Sequence, residues 1–347
     1  MTALAGVTCP LALAPAAGAV TVLSAVGAAP TDVAGPARVP TAYVVSNGGP
    51  LGTARAGTVT PVSTATNRPG EAITVGKGPQ SIAITPNGKT AYVVNFGTGT
   101  VGGNTVTPIN TATGAALTPV RVGRWPDAIA ITPDGATAYV ANGGSGTVTP
   151  ISTATGKPGA AIKVGKDPAA IAITPNGTTA YVSNEGSGTV TPINTVTGKP
   201  GKTITVSDPA SSPPGQIAIT PNGKTAYVVI TAIVGAGSVG VVPIQTATGK
   251  PGKPIPLGFF PFRIAITPNG KTAYATSDSG LTPINTATNT PGKAIKGLNG
   301  PIAITPDGTT VYAGSSNHTV TPVSTATNKP GRAITVGSDP VAIAITP

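Results

Sequence analysis

The apolar positions of this chain come in short alternating runs broken by turn residues, as in IAITPNGKTAYVV, which begins at Ile82. Near-copies begin at Ile129 (IAITPDGATAYVA), Ile171 (IAITPNGTTAYVS) and Ile217 (IAITPNGKTAYVV), and IAITP itself also begins at Ile264, Ile302 and Ile343. The unit therefore returns every 38–47 residues. That period belongs to propeller blades of four strands and is too long for leucine-rich or β-helix coils. Within a unit, IAIT predicts an inner strand whose large and small side chains face opposite neighbouring blades. Pro-Asn-Gly or Pro-Asp-Gly predicts a tight turn in which glycine accepts a positive φ. TAYVV and TVTPIST predict the second and third strands, TATGKPGK a further turn, and AIKVG the fourth strand.

All seven tyrosines, Tyr43, Tyr92, Tyr139, Tyr181, Tyr227, Tyr274 and Tyr312, occupy one slot, preceded by Thr-Ala or, at the last, by Thr-Val. This is the pattern of a buried second-strand tyrosine that reaches a backbone partner. The seven IAITP runs and the seven tyrosine strands are offset, because the strand at Tyr43 has no IAITP before it and the run at Ile343 has no tyrosine strand after it. Pairing of residues 343–346 with residues 41–45 would complete the seventh sheet from both ends of the chain and remove an open edge. The expected fold is all-β, a seven-bladed propeller of four-stranded antiparallel blades over residues 40–347.

Composition agrees and removes several alternatives. Charged residues are only 9%, against roughly a quarter in an average soluble domain, while Gly (47) and Pro (38) are abundant. Hydrophobic residues at 39%, periodically placed, argue against disorder. The single cysteine, Cys9, excludes a disulfide framework, zinc knuckles, CxxC redox pairs and CxxCH haem attachment. Residues 1–29 are apolar with no charge, and AVGAA at 25–29 offers the small residues of a cleavage site, although no Lys or Arg precedes the apolar run. The expected organisation is a signal peptide or disordered leader at 1–29, a linker at 30–39, and a secreted or envelope-associated propeller. Pro10 and Pro15 make the leader a poor spanning helix.

TAYVVN and TAYVSN, preceded by IAITPNG and followed in one repeat by GSGTVTPISTATGKPGAAI, resemble the YVTN-type β-propeller repeats of secreted bacterial and archaeal surface proteins. The resemblance spans about residues 40–347, and TVTP departs from the commoner valine-rich third strand. It implies the propeller fold. The repeat family contains cell-surface scaffolds, lactonase-like enzymes and domains of unknown role, so the resemblance leaves activity open.

In a four-stranded meander the first-to-second and third-to-fourth turns share one rim, and the remaining loops share the other. Twelve Lys and Arg residues against Glu71, Asp134 and Asp307 give the first rim a net +9 of the whole chain's +11. That rim is expected to lie against anionic envelope polymer or lipid headgroups. Nucleic acid is disfavoured, since no aromatics interleave with the charge. Outside the tyrosine slots the aromatics are Phe96, Trp125, Phe259, Phe260 and Phe262, all on the near-neutral rim. With Arg124, Asp127 and Arg263 they form a candidate site for a glycan, peptide or protein partner, through stacking and forked hydrogen bonds. Residues 46–57, 96–104 and 232–240 form long or variable loops on the same rim.

The catalytic inventory is poor. The only histidine is His318, and neither a Ser-His-Asp nor a Cys-His order can be drawn. Glu185 and Asp278 occupy comparable loops but are too few for a metal site, and no cofactor-docking residues stand out. The expectation is an exported, non-catalytic binding scaffold without metal or cofactor. The alternative is a lactonase- or lyase-like enzyme with Glu185, Asp278 and His318 at the channel mouth.

Overall fold

The computed structural model describes residues 40–47, 56–98, 102–210, 212–231, 240–258, 260–315, 317–337 and 340–347. The expected leader and linker, Cys9, stretches of the three long loops and Phe259 lie outside the described residues. Seven antiparallel sheets form, each running outward from an inner strand through a tyrosine strand and a third strand to a short edge. Blades are numbered by their tyrosine strands: Thr41–Ser46 (blade 1), Thr90–Gly97 (2), Thr137–Asn142 (3), Thr179–Asn184 (4), Thr225–Ile230 (5), Thr272–Ser277 (6) and Thr310–Ser315 (7). Each inner strand touches those of the blades on either side, and the last touches the first, so the sheets close a ring. The only helical segments among the described residues are two single 3-10 turns, Gly143–Ser145 and Glu185–Ser187.

Blade 1 takes its inner strand from the other end of the chain. Pro340–Ile345 pairs with Thr41–Ser46, setting Ala42 opposite Ile345, Tyr43 opposite Ala344 and Val44 opposite Ile343. Thr346 extends the clasp: its N–H donates to Thr41 O (3.0 Å), and its hydroxyl accepts from Thr41 N (2.8 Å).

Alternation of large and small residues decides how blades stack. In every blade the tyrosine lies opposite the alanine of its own inner strand, as Tyr139 opposite Ala130 and Tyr181 opposite Ala172. Its other neighbour is the third-strand proline, Pro150 or Pro192. The small inner residue leaves room for the ring, and isoleucines of the following blade fill the remainder: Ala128, Ala130 and Tyr139 pack with Ile171 and Ile173. Six of the seven tyrosine hydroxyls then donate to a turn of the next blade. Tyr181 reaches Thr246 O (3.1 Å), and Tyr312 reaches Asn67 Oδ1 (2.7 Å) across the point of closure. Where the turn reads TATN, the asparagine adopts a left-handed φ (54–56°) and supplies the acceptor itself, as Asn289 does for Tyr227.

Two turns of each blade meet on one rim. The threonine ending the third strand donates its hydroxyl to the glycine carbonyl of the Pro-Asn-Gly or Pro-Asp-Gly turn, as Thr153 to Gly135, Thr195 to Gly177 and Thr246 to Gly223. The expected fourth strand has its full five residues in blade 1 (Ile73–Lys77) and is two residues in blades 3, 4 and 7, for example Ile162–Lys163. Short outer strands leave little exposed edge for pairing with another chain.

Two outcomes follow. Burial of Ile343 and Ile345 contributes roughly 3–6 kcal/mol, comparable with the whole margin of about 5–15 kcal/mol of an ordinary domain. Deleting residues 340–347 is therefore expected to lower the melting temperature sharply and to produce aggregates on gel filtration. Tyr181→Phe, which removes one interblade hydrogen bond, is expected to cost about 1 kcal/mol in denaturant unfolding.

Candidate functional site

On the rim opposite the lysine turns, the backbone leaves the regular ladder where the chain enters several of the inner strands. The residue before the proline is left-handed at Gly78 (φ 55°), Trp125 (48°), Asp167 (48°) and Phe260 (50°). At a bulky residue this conformation costs on the order of 1–3 kcal/mol and persists only where surrounding bonds impose it. Here they do: Trp125 N donates to Gly103 O (2.9 Å), and Trp125 O accepts from Gly143 N (2.8 Å). Asp167 O likewise accepts from Glu185 N (2.8 Å). The register then slips past one residue, between Pro126 and Ala128 and between Pro168 and Ala170. The skipped residue is a β-bulge, a device that re-aims a side chain. In blade 3 that residue is Asp127.

Asp127 on blade 3 and Arg263 on blade 6 both stand at the start of inner strands, on opposite sides of the ring. The Asp127 carboxyl lies against Gly143, where a Cβ would come within 3.0 Å of Oδ2. Burial pushes its pKa well above 3.8; the nearby charges of Glu185 and Asp167 push it further, and Arg263 counteracts. Glu185 is raised as well, chiefly by burial and then by Asp167. Arg263 is 7% exposed. Burial pulls its guanidinium down to about 10 against the opposing field of Asp127, so it stays charged at neutral pH. Its Nη1 donates to Phe262 O (3.3 Å), while Nε has no partner. Gln216 on blade 5 is 1% exposed; its Oε1 accepts from Ile264 N, and its Nε2 has no partner. A carboxyl with raised proton affinity thus lies within the field of a buried guanidinium whose Nε lacks an acceptor, and on the neighbouring blade Gln216 Nε2 lacks one as well. That arrangement suits proton transfer at one side and stabilisation of a developing oxyanion at the other.

The aromatic residues divide into two groups. Phe96 and Trp125 stack with centroids 6.5 Å apart at 22°, and the Arg124 guanidinium sits 5.4 Å from the Trp125 ring. The indole lies in a slot bordered by Gly102 and Gly144, where a Cβ would come within 2.0 Å of Nε1 and 2.6 Å of Cε3. Phe260 and Phe262 belong to blade 6, across the ring. The two groups stand three blades apart in the ring. His318 is exposed with φ 58°, its carbonyl accepting from Val336 N (2.9 Å), and Asp278 is exposed too. Of the three residues grouped in the alternative, Glu185 acts on Asp127 through its charge, whereas His318 and Asp278 stand exposed on the loops of blades 7 and 6. Gln216 was not singled out from sequence; the signal was its place directly before IAI, where four other units carry Ala or Ser. Among the described residues no group of three His, Cys, Asp or Glu side chains converges as a metal site requires.

Residues 11–249 match the family described as "Lactonase, 7-bladed beta-propeller". No curated protein matches the chain. Among solved structures, hydrazine synthase of Kuenenia stuttgartiensis is 24% identical with a TM-score of 0.68, covering 77% of this chain and 89% of that one. A functionally unknown protein from Desulfotomaculum acetoxidans is 18% identical with a TM-score of 0.71, covering 88% and 98%. A candidate 6-phosphogluconolactonase from Bacteroides uniformis is 16% identical with a TM-score of 0.68, also covering 88% and 98%. At these identities the solved structures speak for the fold. The family match corrects two expectations drawn from sequence, that the protein is a non-catalytic scaffold and that it is not an enzyme. Both rested on the scarcity of histidine and of familiar triads, whereas the mouth assembles a carboxyl and a guanidinium from blades 136 residues apart.

Asp127 also leaves a signature in stability. Its folded-state proton affinity exceeds that of the unfolded chain, so between pH 3.8 and the raised value the native state binds more protons and stability falls as pH rises. Asp127→Asn removes that ionisation. The variant is expected to melt above the wild type at neutral and alkaline pH, with the gap closing as pH falls below 3.8; thermal melts across pH check this, and a pH-independent gap would contradict the assignment.

Proposed function

Because the chain belongs to the lactonase, 7-bladed beta-propeller family, we propose that it hydrolyses a lactone at the near-neutral channel mouth, with Asp127 as acid–base group and Arg263 and Gln216 as oxyanion donors. We also read its TAYVVN-type repeats as a YVTN-like wording of that fold. The observation that carries the proposal is a carboxyl of raised proton affinity within the field of a buried guanidinium whose Nε is unpaired.

In this reading the Asp127 carboxylate takes a proton from water as the water oxygen attacks the lactone carbonyl carbon. The carbonyl electron pair moves onto oxygen, and the charge is met by Arg263 Nε and Gln216 Nε2. Collapse of the tetrahedral intermediate breaks the ring C–O bond, and the proton held by Asp127 passes to the departing ring oxygen. The product is a hydroxy acid, and atoms and charge balance without a further reactant. Burial first, and then the like charges of Glu185 and Asp167, keep the proton affinity of Asp127 high, which brings it nearer the operating pH of a general base. Trp125 and Phe262 flank the reacting centre with apolar surface.

A panel of five- and six-membered lactones, followed by acid release, tests the reading. Turnover is expected for the wild type; Arg263→Lys is expected to lower kcat/KM by about 100- to 1,000-fold, and Asp127→Asn by a similar or larger factor. His318→Ala should leave it unchanged. Absence of turnover across the panel, or full activity in Asp127→Asn, would reject the assignment.

A further inference from the structure

The lysine-bearing rim is not uniformly charged. Blade 4 carries Lys199 and Lys202 on its rim turns, blade 5 carries Lys224, Lys250 and Lys253, and blade 6 carries Lys271 and Lys293. All seven are exposed, and no carboxylate shares those turns. The other four blades contribute only the remaining +2, because Arg68 stands near Glu71, Asp134 offsets Lys157, and Asp307 offsets one cation of blade 7. Three consecutive blades thus hold +7 of the rim's +9.

The crescent is held on a rigid platform. Thr195, Thr246 and Thr286 each bind the glycine carbonyl of the adjoining turn. Gly201 N, Gly252 N and Gly292 N each donate to the proline carbonyl of the third strand (2.7 Å). Every cation in the crescent is lysine, a hydrated point charge that senses a field, with no arginine fork to read a particular phosphate or carboxylate. These turns carry no aromatic side chain on which a base or sugar could stack. One turn tip does carry an apolar residue: Val196, in the blade 4 turn TVTGK, is 84% exposed where the matching turns have alanine.

We propose that this crescent of blades 4–6 docks the propeller onto an anionic lipid surface, the lysines meeting the headgroups and Val196 entering the boundary beneath them. The active mouth, on the opposite rim, then faces away from the bilayer. A planar charged surface fits turns that end on one rim, and a field of lysines near such a surface is worth roughly a fivefold gain in affinity per residue.

The test is flotation of the full chain with vesicles of phosphatidylcholine, with and without phosphatidylglycerol, from low to high salt. Binding is expected only with the anionic lipid and is expected to fall steeply as salt rises. The variant Lys224→Glu/Lys250→Glu/Lys253→Glu should lose roughly 100-fold or more in affinity. Arg68→Glu/Lys89→Glu/Lys157→Glu, with the same change in net charge but on blades 1–3, should lose far less, and Val196→Asp should weaken binding several-fold. Circular dichroism confirms that each variant is folded, and the salt series on the wild type stands whatever the variants do. Absence of vesicle binding, salt-independent binding, or equal losses from the two triple variants would overturn the proposal, as would tight capture by heparin or duplex DNA without vesicle binding.

Discussion

Each tyrosine of this ring lies over the alanine of its own inner strand and, in six blades, ends with its hydroxyl on a turn of the next blade. The two relations depend on each other. A larger inner-strand residue would displace the ring, and a displaced ring would lose its interblade acceptor. Repeated around the circle, this small-against-large arrangement sets how each blade meets its neighbour. It also explains why the closing strand reads PVAIAI: Ala344 must stand opposite Tyr43, and Ile343 and Ile345 must face blade 7. Closure is thus an ordinary blade contact made by residues from opposite ends of the chain.

The two rims owe their different chemistry to different backbones. On the lysine rim, threonine hydroxyls tie neighbouring turns together, and the turns repeat with little variation. On the opposite rim a left-handed residue precedes four of the inner strands, and that position varies freely: Gly78, Trp125, Asp167 and Phe260 occupy one structural place. A fixed irregular backbone with variable side chains is how a repetitive fold acquires a singular site. Strain at Trp125 is balanced by two backbone hydrogen bonds that hold the loops between blades 2 and 3.

The assignment as an enzyme shows that a short supply of histidine says little about catalysis on this scaffold. A channel mouth brings seven strand starts together. In the proposed site, one carboxyl, one guanidinium and one amide from three blades supply the acid–base group and the oxyanion donors. The electrostatics follow from burial at the converging inner strands, where charged groups lose solvent and respond to one another across the opening.

The repeat by itself determined the blade count, the strand order and the clasp, because a period of 38–47 residues and an offset between IAITP runs and tyrosines admit one closed arrangement. It also placed Asp127 and Arg263 on the same rim, since position within a repeat fixes which end of a strand a residue occupies. Only the tertiary structure decided that the charge of Arg263 reaches Asp127 and that Arg263 Nε and Gln216 Nε2 are buried without partners. The reason is physical: local pattern specifies strands and turns, whereas the proton affinities of Asp127 and Arg263 are shifted by burial and by fields between blades distant in the chain.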